Sequence, residues 1–335
     1  MKKLLLVFFL LCLLMNVPLA QDLVFKNDLT KIAIGSCNRQ DAPQLMWPHI
    51  NSHNPDLWIW LGDNIYGDTD DMSVMKAKYD KQKSNPEYQK LVSNTEVIGT
   101  WDDHDFGKND AGKEYAKRDE SRDLMFEFLD VPKSSPAWKR KGGYQSYAFG
   151  EGDRKVKIIL LDARYFRDEQ PKEGRSYVRN WEGDVLGEAQ WTWLESELTN
   201  SDAAIHIIGN GIQFITDEHR FEKWANFPKS KQRMLDLFAK TQPQNILMLS
   251  GDRHISEITS QFVPGYGMLY DFTSSGMTHS YEASTEYNSH RIGNLITSKS
   301  FGLISIDWSG DSPIVSLESR GTDNQILDGP IKIFE

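Results

Sequence analysis

Two apolar runs, far apart in the chain, end in the same way: Leu57-Trp58-Ile59-Trp60-Leu61-Gly62-Asp63 and Ile246-Leu247-Met248-Leu249-Ser250-Gly251-Asp252. Each offers strand-forming residues, a glycine and then a carboxylate. A third run, Val97-Ile98-Gly99-Thr100-Trp101-Asp102-Asp103-His104, ends on two carboxylates and an imidazole. Side chains at the carboxyl ends of strands in an α/β sheet converge on one crevice. Carboxylates gathered there repel one another unless a cation neutralises them. The pattern therefore asks for metal.

The other strand ends add donors of different chemistry. Gly35-Ser36-Cys37-Asn38-Arg39 brings a thiol and a guanidinium. Cys37 is either a small buried hydrophobe or a working thiolate, and Arg39 could pair bidentately with a phosphate. In Gly62-Asp63-Asn64-Ile65-Tyr66, Asp63 and Tyr66 can face one centre from a tight turn, with Asn64 beside them as a substrate contact. A phenolate is a hard ligand that favours a trivalent ion such as ferric iron. In the third motif Asp103 is the expected metal ligand, and His104 is placed to protonate a leaving oxygen. Ile207-Ile208-Gly209-Asn210-Gly211-Ile212-Gln213 offers neutral amides, Asn210 and Gln213, to orient substrate, complete a coordination shell or hold the fold. Asp252 and His254 flank Arg253; in an extended segment they would point the same way, as ligands of one or two metals. His279 lies in a long Gly-, Ser- and Tyr-rich stretch and is a candidate substrate contact, while His49, His53, His206, His219 and His290 have no such setting. No Gly-x-Ser-x-Gly elbow, His-Glu-x-x-His helix, Walker-type loop or Gly-x-Gly-x-x-Gly fingerprint occurs, so the chemistries those motifs serve lack their signatures.

The elements that must position these residues alternate. Strands are expected at 31–35, 57–61, 96–101, 145–149, 156–161, 204–208 and 246–249. Helices are expected at 43–52, over much of 70–92, and at 115–129, 188–198 and 229–240. The tail reads mainly as strands at 258–262, 268–273, 302–307 and 314–319, and 264–300 contains a long functional loop. Strand–helix alternation followed by a run of strands implies packed sheets with flanking helices.

The 335 residues are ample for a substantial core. Met1-Lys2-Lys3, an apolar run over 4–14 and Pro18-Leu19-Ala20 describe a secretory signal of residues 1–20, with one domain from 21 to 335. The expected location is periplasmic or extracellular, with no membrane span once the signal is removed. Loss of Lys2 and Lys3 takes the formal charge from −10 to −12. An acidic surface argues against nucleic acid or anionic lipid as a bulk partner, though not against a small phosphate ester. Of the two cysteines, Cys12 leaves with the signal and only Cys37 stays.

Taken together, the five motifs at Ser36, Gly62, Trp101, Gly209 and Ser250 resemble, in order, those of the PhoD-like alkaline phosphatases, a branch of the calcineurin-like metallophosphoesterases. Asn109-Asp110-Ala111-Gly112 and the stretch from Trp224 to Pro228 support the resemblance. It implies an α/β fold of the metallophosphoesterase type, a β-sandwich flanked by helices in α/β/β/α layers, and hydrolysis of phosphate mono- or diesters at a multimetal site. It also implies iron held through a thiolate and calcium through carboxylates, which makes Cys37 an expected ligand. The superfamily's Asp-x-His and Gly-His-x-His are replaced by Ser36-Cys37-Asn38 and Gly251-Asp252-Arg253-His254, a departure from plain di-zinc or di-manganese sites. On this reading Cys37, Asp63, Tyr66 and one of Asp252 and His254 hold the iron. Asp63 bridges to a second ion on Asp103, a metal-activated hydroxide attacks phosphorus, and Arg39 or Arg253 offsets charge on the phosphoryl oxygens. A phospholipase-type phosphodiesterase on the same scaffold and a non-catalytic metal- or phosphate-binding protein are the alternatives.

Overall fold

The structure, a computed structural model, describes residues 23–334, so the expected signal lies outside the described residues. Fifteen strands are present: β1 (Leu23–Phe25), β2 (Lys31–Gly35), β3 (Leu57–Leu61), β4 (Glu96–Thr100), β5 (Gln145–Phe149), β6 (Val156–Leu160), β7 (Lys172–Glu173), β8 (Ser176–Tyr177), β9 (Ile205–Gly209), β10 (Ile246–Ser250), β11 (Ser256–Val263), β12 (Gly267–Ser274), β13 (Phe301–Asp307), β14 (Ile314–Arg320) and β15 (Ile326–Ile333). Seven helices join them: α1 (Trp47–Ser52), α2 (Met72–Lys83), α3 (Pro86–Val92), α4 (Asp103–Phe106), α5 (Arg118–Phe128), α6 (Gly187–Leu198) and α7 (Pro228–Thr241). The strands form a seven-stranded sheet in the order β1-β5-β6-β9-β10-β12-β11, a six-stranded sheet in the order β15-β14-β13-β2-β3-β4, and the small β7-β8 ribbon.

The apolar runs are continuous because both faces of each sheet are covered. Side chains alternate across a strand, and the alternation sorts them into three cores. Leu57, Ile59 and Leu61 of β3 meet Val156, Ile158 and Leu160 of β6 and Leu247 and Leu249 of β10 between the sheets. Trp58 and Trp60 point the other way, into a core with residues of α1, α2, α3 and α5. Ile208, Ile246 and Met248 face α6 and α7. The layers are therefore helix, sheet, sheet, helix, the α/β arrangement expected. Trp47, Trp58 and Trp60 meet edge to face with centroids 5.0–5.3 Å apart, a geometry that favours aromatic pairs beyond their burial.

Three expectations needed revision. α1 starts only at Trp47, not 43. β1 and β15 were not anticipated; both are edge strands with alternating or part-exposed residues rather than apolar runs. The third motif, past the strand expected to end at 101, winds into the short α4, which was not among the expected helices. Among the described residues no helix is long and apolar enough to cross a membrane.

His206 on β9 is buried, with Nδ1 2.7 Å from the Gln244 carbonyl and Nε2 2.8 Å from Ser201 Oγ. Burial pulls its pKa from 6.5 down to about 4. The unfolded chain then takes up the proton first, so stability falls as pH drops from about 6.5 to about 4. The ceiling on that loss is about 3 kcal/mol. Urea unfolding followed across this range is expected to show the slope, and His206→Gln to flatten it.

Candidate metal centre

Parallel pairing of β2, β3 and β4, and of β6, β9 and β10, aligns their carboxyl ends. The two sets of ends meet across the sandwich. Within each sheet neighbouring ends are tied, Asn38 N–H donating to the Asp63 carbonyl at 2.9 Å and Gly251 N–H to the Gly211 carbonyl at 3.0 Å. The approach is close enough to demand glycine: a methyl at Gly251 would run into the Leu61 carbonyl, and one at Gly211 into the Asp102 carboxylate.

At the strand ends the backbone takes an unusual turn. Cys37, Asp63, Asp252 and His254 have φ of 57°, 49°, 66° and 54°. Left-handed conformations cost non-glycine residues free energy and concentrate where function over-determines them. This overturns the expectation that Asp252 and His254 share a direction through an extended segment. His254 joins Cys37 and Asp63 in one group of ligand atoms, whereas Asp252 joins Asp102 and Asp103 in another, with atoms in each group within 4.8 Å of one another. Asp63 also groups with Asp103 and His104, which links the two.

In the first group Cys37 Sγ lies 3.4 Å from Asp63 Oδ2 and 3.0 Å from Ser275 Oγ. Tyr66 Oη is 3.3 Å from Asp63 Oδ2, 3.1 Å from His254 Nε2 and 2.9 Å from His279 Nε2. Burial, with Asp63 nearby, pushes the Cys37 thiol up, and burial likewise raises the Tyr66 phenol. Burial and the neighbouring His279 pull His254 down to about 3, leaving it a neutral imidazole ready to donate a lone pair. In the second group burial, then Asp102 and Asp103, hold the Asp252 carboxyl well above the usual range, and burial plus Asp103 do the same to Asp63. Buried acceptors stay without a protein partner: Asp102 Oδ2, Asp103 Oδ1 and Asn64 Oδ1. A thiol, a phenol, an imidazole and crowded carboxylates with orphaned oxygens are the donor set of a multimetal site, and the residues fit one.

The remaining carboxylates of the third motif have other work. Asp105 accepts from the backbone N–H of Asp63, Asn64 and Asp102, and burial still lifts it to about 8. Asp102 pairs with Arg164 at 2.8 Å, and Arg164 reaches Glu222 at 2.7 Å; all three are buried. Arg167 lies 3.0 Å from the other Glu222 oxygen. Sequence reasoning missed Arg164, Arg167 and Glu222, which no strand-end pattern marks. Removing one partner of a buried ion pair strands the other. Arg164→Met is therefore expected to destabilise the chain by about 3 to 5 kcal/mol, read from its denaturant midpoint.

His104 Nδ1 lies 2.7 Å from Asp68 Oδ1. Burial alone would lower the His104 pKa, but Asp68, Asp63 and Asp103 outweigh it and raise it to about 10, so the imidazole is protonated in the ion-free chain. Its ring lies 4.1 Å from that of Tyr66. Arg39 is exposed and stacks over the Tyr66 ring at 4.7 Å. Arg253 is buried and pairs with Glu286 at 2.6 Å.

A cleft of about 450 Å³ opens over the centre, with Asp103, His104, Asp252, Arg253 and His254 in its lining. A larger hollow of about 530 Å³ lies at the opposite, amino ends of β3 and β4 and has no such donor set. The expectation of substrate contact is not met at Asn210 and Gln213, which are buried and outside the cleft lining. Asn210 donates to the Leu249 carbonyl and accepts from Trp224 Nε1, while Gln213 donates to Glu257 and Thr273. Asn64 is also outside the lining and donates to the Thr100 carbonyl.

The model of a family described as PhoD-like phosphatase matches residues 32–291. Alkaline phosphatase D of Bacillus subtilis (strain 168) is 24% identical over 268 residues, 67% of this chain and 46% of that protein. The chain thus spans about half the length of this curated relative. Among solved structures, that of PhoD superposes with a TM-score of 0.73 at 16% identity, covering 91% of this chain and 69% of its own. A dimetal phosphatase from Danio rerio superposes with a TM-score of 0.58 at 12% identity, covering 90% and 99%. These structural likenesses establish the fold.

Proposed function

The chain belongs to the PhoD-like phosphatase family, and we propose that it is a metal-dependent phosphoric ester hydrolase, acting on mono- or diesters outside the cytoplasm. The observation that carries this reading is the set of overlapping donor groups linked through Asp63, with Asp103, His104, Asp252 and His254 lining a cleft and His104 protonated. Cys37, Asp63, Tyr66 and His254 would hold one ion, for which thiolate and phenolate favour ferric iron. Asp63, Asp103, Asp252 and Asp102 would offer oxygens to a second, which suits calcium. When bound, such ions supply Lewis-acid charge to a phosphoryl oxygen and lower the pKa of a water.

The chain's own residues do the rest. Asp68 takes His104 Nδ1, so Nε2 carries the proton destined for the leaving oxygen. Arg39, two residues after Cys37, and Arg253, between Asp252 and His254, would offset charge on the phosphoryl oxygens. Arg164 anchors Asp102 so that the carboxylate floor keeps its shape. A pure binding role has no use for a proton donor, which favours turnover. The export signal read at residues 1–20 supports a periplasmic or extracellular location.

The test is elemental analysis of natively purified protein, paired with hydrolysis of p-nitrophenyl phosphate, bis-p-nitrophenyl phosphate and a phospholipid, each with and without chelator. Iron with calcium and chelator-sensitive turnover are expected. Zinc or manganese instead would revise the ion assignment. A metal-loaded protein inert on every ester would overturn the hydrolytic reading.

A further inference from the structure

Basic side chains gather at the cleft although the chain is acidic overall, at −10: Lys172, Arg175, Arg220 and Arg253 all line it. Two of the four have an acidic partner: Lys172 pairs with Asp110 at 2.9 Å and Arg253 with Glu286 at 2.6 Å. Arg175 and Arg220 are exposed and make no ion pair among the described residues. Two unneutralised guanidinium groups beside a carboxylate-rich floor would be expected to swing onto that floor or onto nearby acids, unless their mounts hold them apart.

The mounts are visible. β7 and β8 pair Lys172 with Tyr177 and Glu173 with Ser176, leaving Gly174-Arg175 as a two-residue turn. Gly174 has φ 62° and Arg175 does not take a positive φ, the pattern of a tight hairpin turn led by glycine. Such a turn fixes where its second residue stands. The ribbon is docked by the Tyr177 N–H donating to the Arg220 carbonyl at 3.0 Å, which brings the two arginine-bearing segments side by side. Arg220 itself lies over the Phe221 ring at 5.0 Å, and Arg253 covers the same ring at 4.2 Å. That stacking keeps the Arg220 guanidinium at the mouth of the cleft and clear of the carboxylates.

We propose that Arg175 and Arg220 form a second anion seat at the mouth of the cleft, which selects phosphate esters whose leaving group carries a further anionic group, a second phosphate above all. This rests on the hydrolytic reading of the centre. A phosphoryl group on the floor would be met by the ions and His104; a second phosphate on the same molecule would meet forked guanidinium donors, the geometry arginine matches best. Unpaired cations at a cleft mouth also raise the local concentration of polyanions, an effect that salt screens.

The experiment compares glucose 6-phosphate with glucose 1,6-bisphosphate on the metal-loaded full chain, by released phosphate, at low and high salt. The expected kcat/KM ratio favours the bisphosphate by about tenfold at low salt and shrinks as salt rises. In Arg175→Ala/Arg220→Ala the ratio is expected to fall to the statistical value set by the bisphosphate's two scissile esters, and in Arg175→Lys/Arg220→Lys to keep an intermediate value, since charge remains but the fork is lost. Because the readout is a ratio within one preparation, partial loss of folded protein does not move it. A wild type active on both sugars without preference, or a double alanine variant that keeps the wild-type preference, overturns the seat. A wild type inert on both sugars overturns the seat, and one inert also on p-nitrophenyl phosphate, bis-p-nitrophenyl phosphate and the phospholipid overturns the hydrolytic reading with it.

Discussion

Asp63→Asn is expected to lower kcat/KM by at least about a thousandfold and, in the same protein stripped of metal, to raise the melting temperature. The two signs come from one carboxylate. Asp63 belongs to the first donor group and, grouped also with Asp103 and His104, links it to the second, so its loss is expected to weaken the hold on both ions. Lewis-acid charge at a phosphoryl oxygen is worth several kcal/mol, and each 1.36 kcal/mol is about a factor of ten. Without ions the same group is a liability. Burial and the charge of Asp103 push its pKa well up, with Asp102 and Asp105 adding to the repulsion. Asparagine removes that charge while keeping a similar shape, so the ion-free variant is relieved, by on the order of a few degrees in a scan. Cys37→Ala separates the effects. It too should lose iron and turnover, but it deletes a buried thiol without relieving any carboxylate, so no gain in ion-free stability is expected. Elemental analysis, turnover and melting of ion-free protein check all three; full metal and full turnover in both variants would sink the ligand assignment.

That opposition between folding and function explains which parts of the site could be read from sequence. Asp63, Tyr66, Asp103, Asp252 and His254 stood out because each follows an apolar strand, and parallel strands deliver their carboxyl ends to one side; Cys37 became an expected ligand only through the resemblance to the PhoD-like family. In the structure the six lie in adjoining donor groups, of which Asp103, Asp252 and His254 line the cleft. What the strand pattern could not carry was local backbone direction. Left-handed φ at Asp252 and His254 sends the two side chains to different groups, and nothing in an Asp-Arg-His tripeptide announces that turn. Partners from distant loops were equally silent. Arg164 and Glu222 lie far from the motifs in sequence, and Asp68 sits in an ordinary polar stretch. His279 drew attention only as a histidine in a long loop, yet it reaches Tyr66 Oη at 2.9 Å. Asn210 and Gln213 misled for the reverse reason: an amide beside glycines at a strand end can serve a ligand or the framework, and here both bond to the framework. The layers were legible because alternation within β3, β6 and β10 fixes two buried faces. The order of strands within the two sheets was not, since it depends on which edges find each other.

His104→Ala is expected to slow hydrolysis of an alkyl phosphate by about 10² to 10⁴, the range of a lost general acid, and to slow p-nitrophenyl phosphate far less. An alkoxide leaves poorly without a proton, whereas p-nitrophenolate leaves well without one, so the two substrates weigh the proton separately from the binding. Asp68→Asn keeps an acceptor near Nδ1 but removes a charge that helps to raise the His104 pKa. The acid form is the working one, so alkyl phosphate turnover falls as pH rises through that pKa. Taking away the Asp68 charge should bring the fall about one pH unit lower. Bound cations offset Asp63 and Asp103, two of the other charges that raise it, so in the loaded enzyme the limb lies below the ion-free value of about 10 and Asp68 carries a larger share of what remains. The pH–rate profiles of both variants on both substrates test the assignment. Equal slowing of both substrates by His104→Ala would assign the residue to positioning alone. The His104 backbone N–H, 3.3 Å from Asp63 Oδ1, survives in that variant and still supports the ligand. A loss confined to the poor leaving group therefore has one remaining source, the proton on the ring.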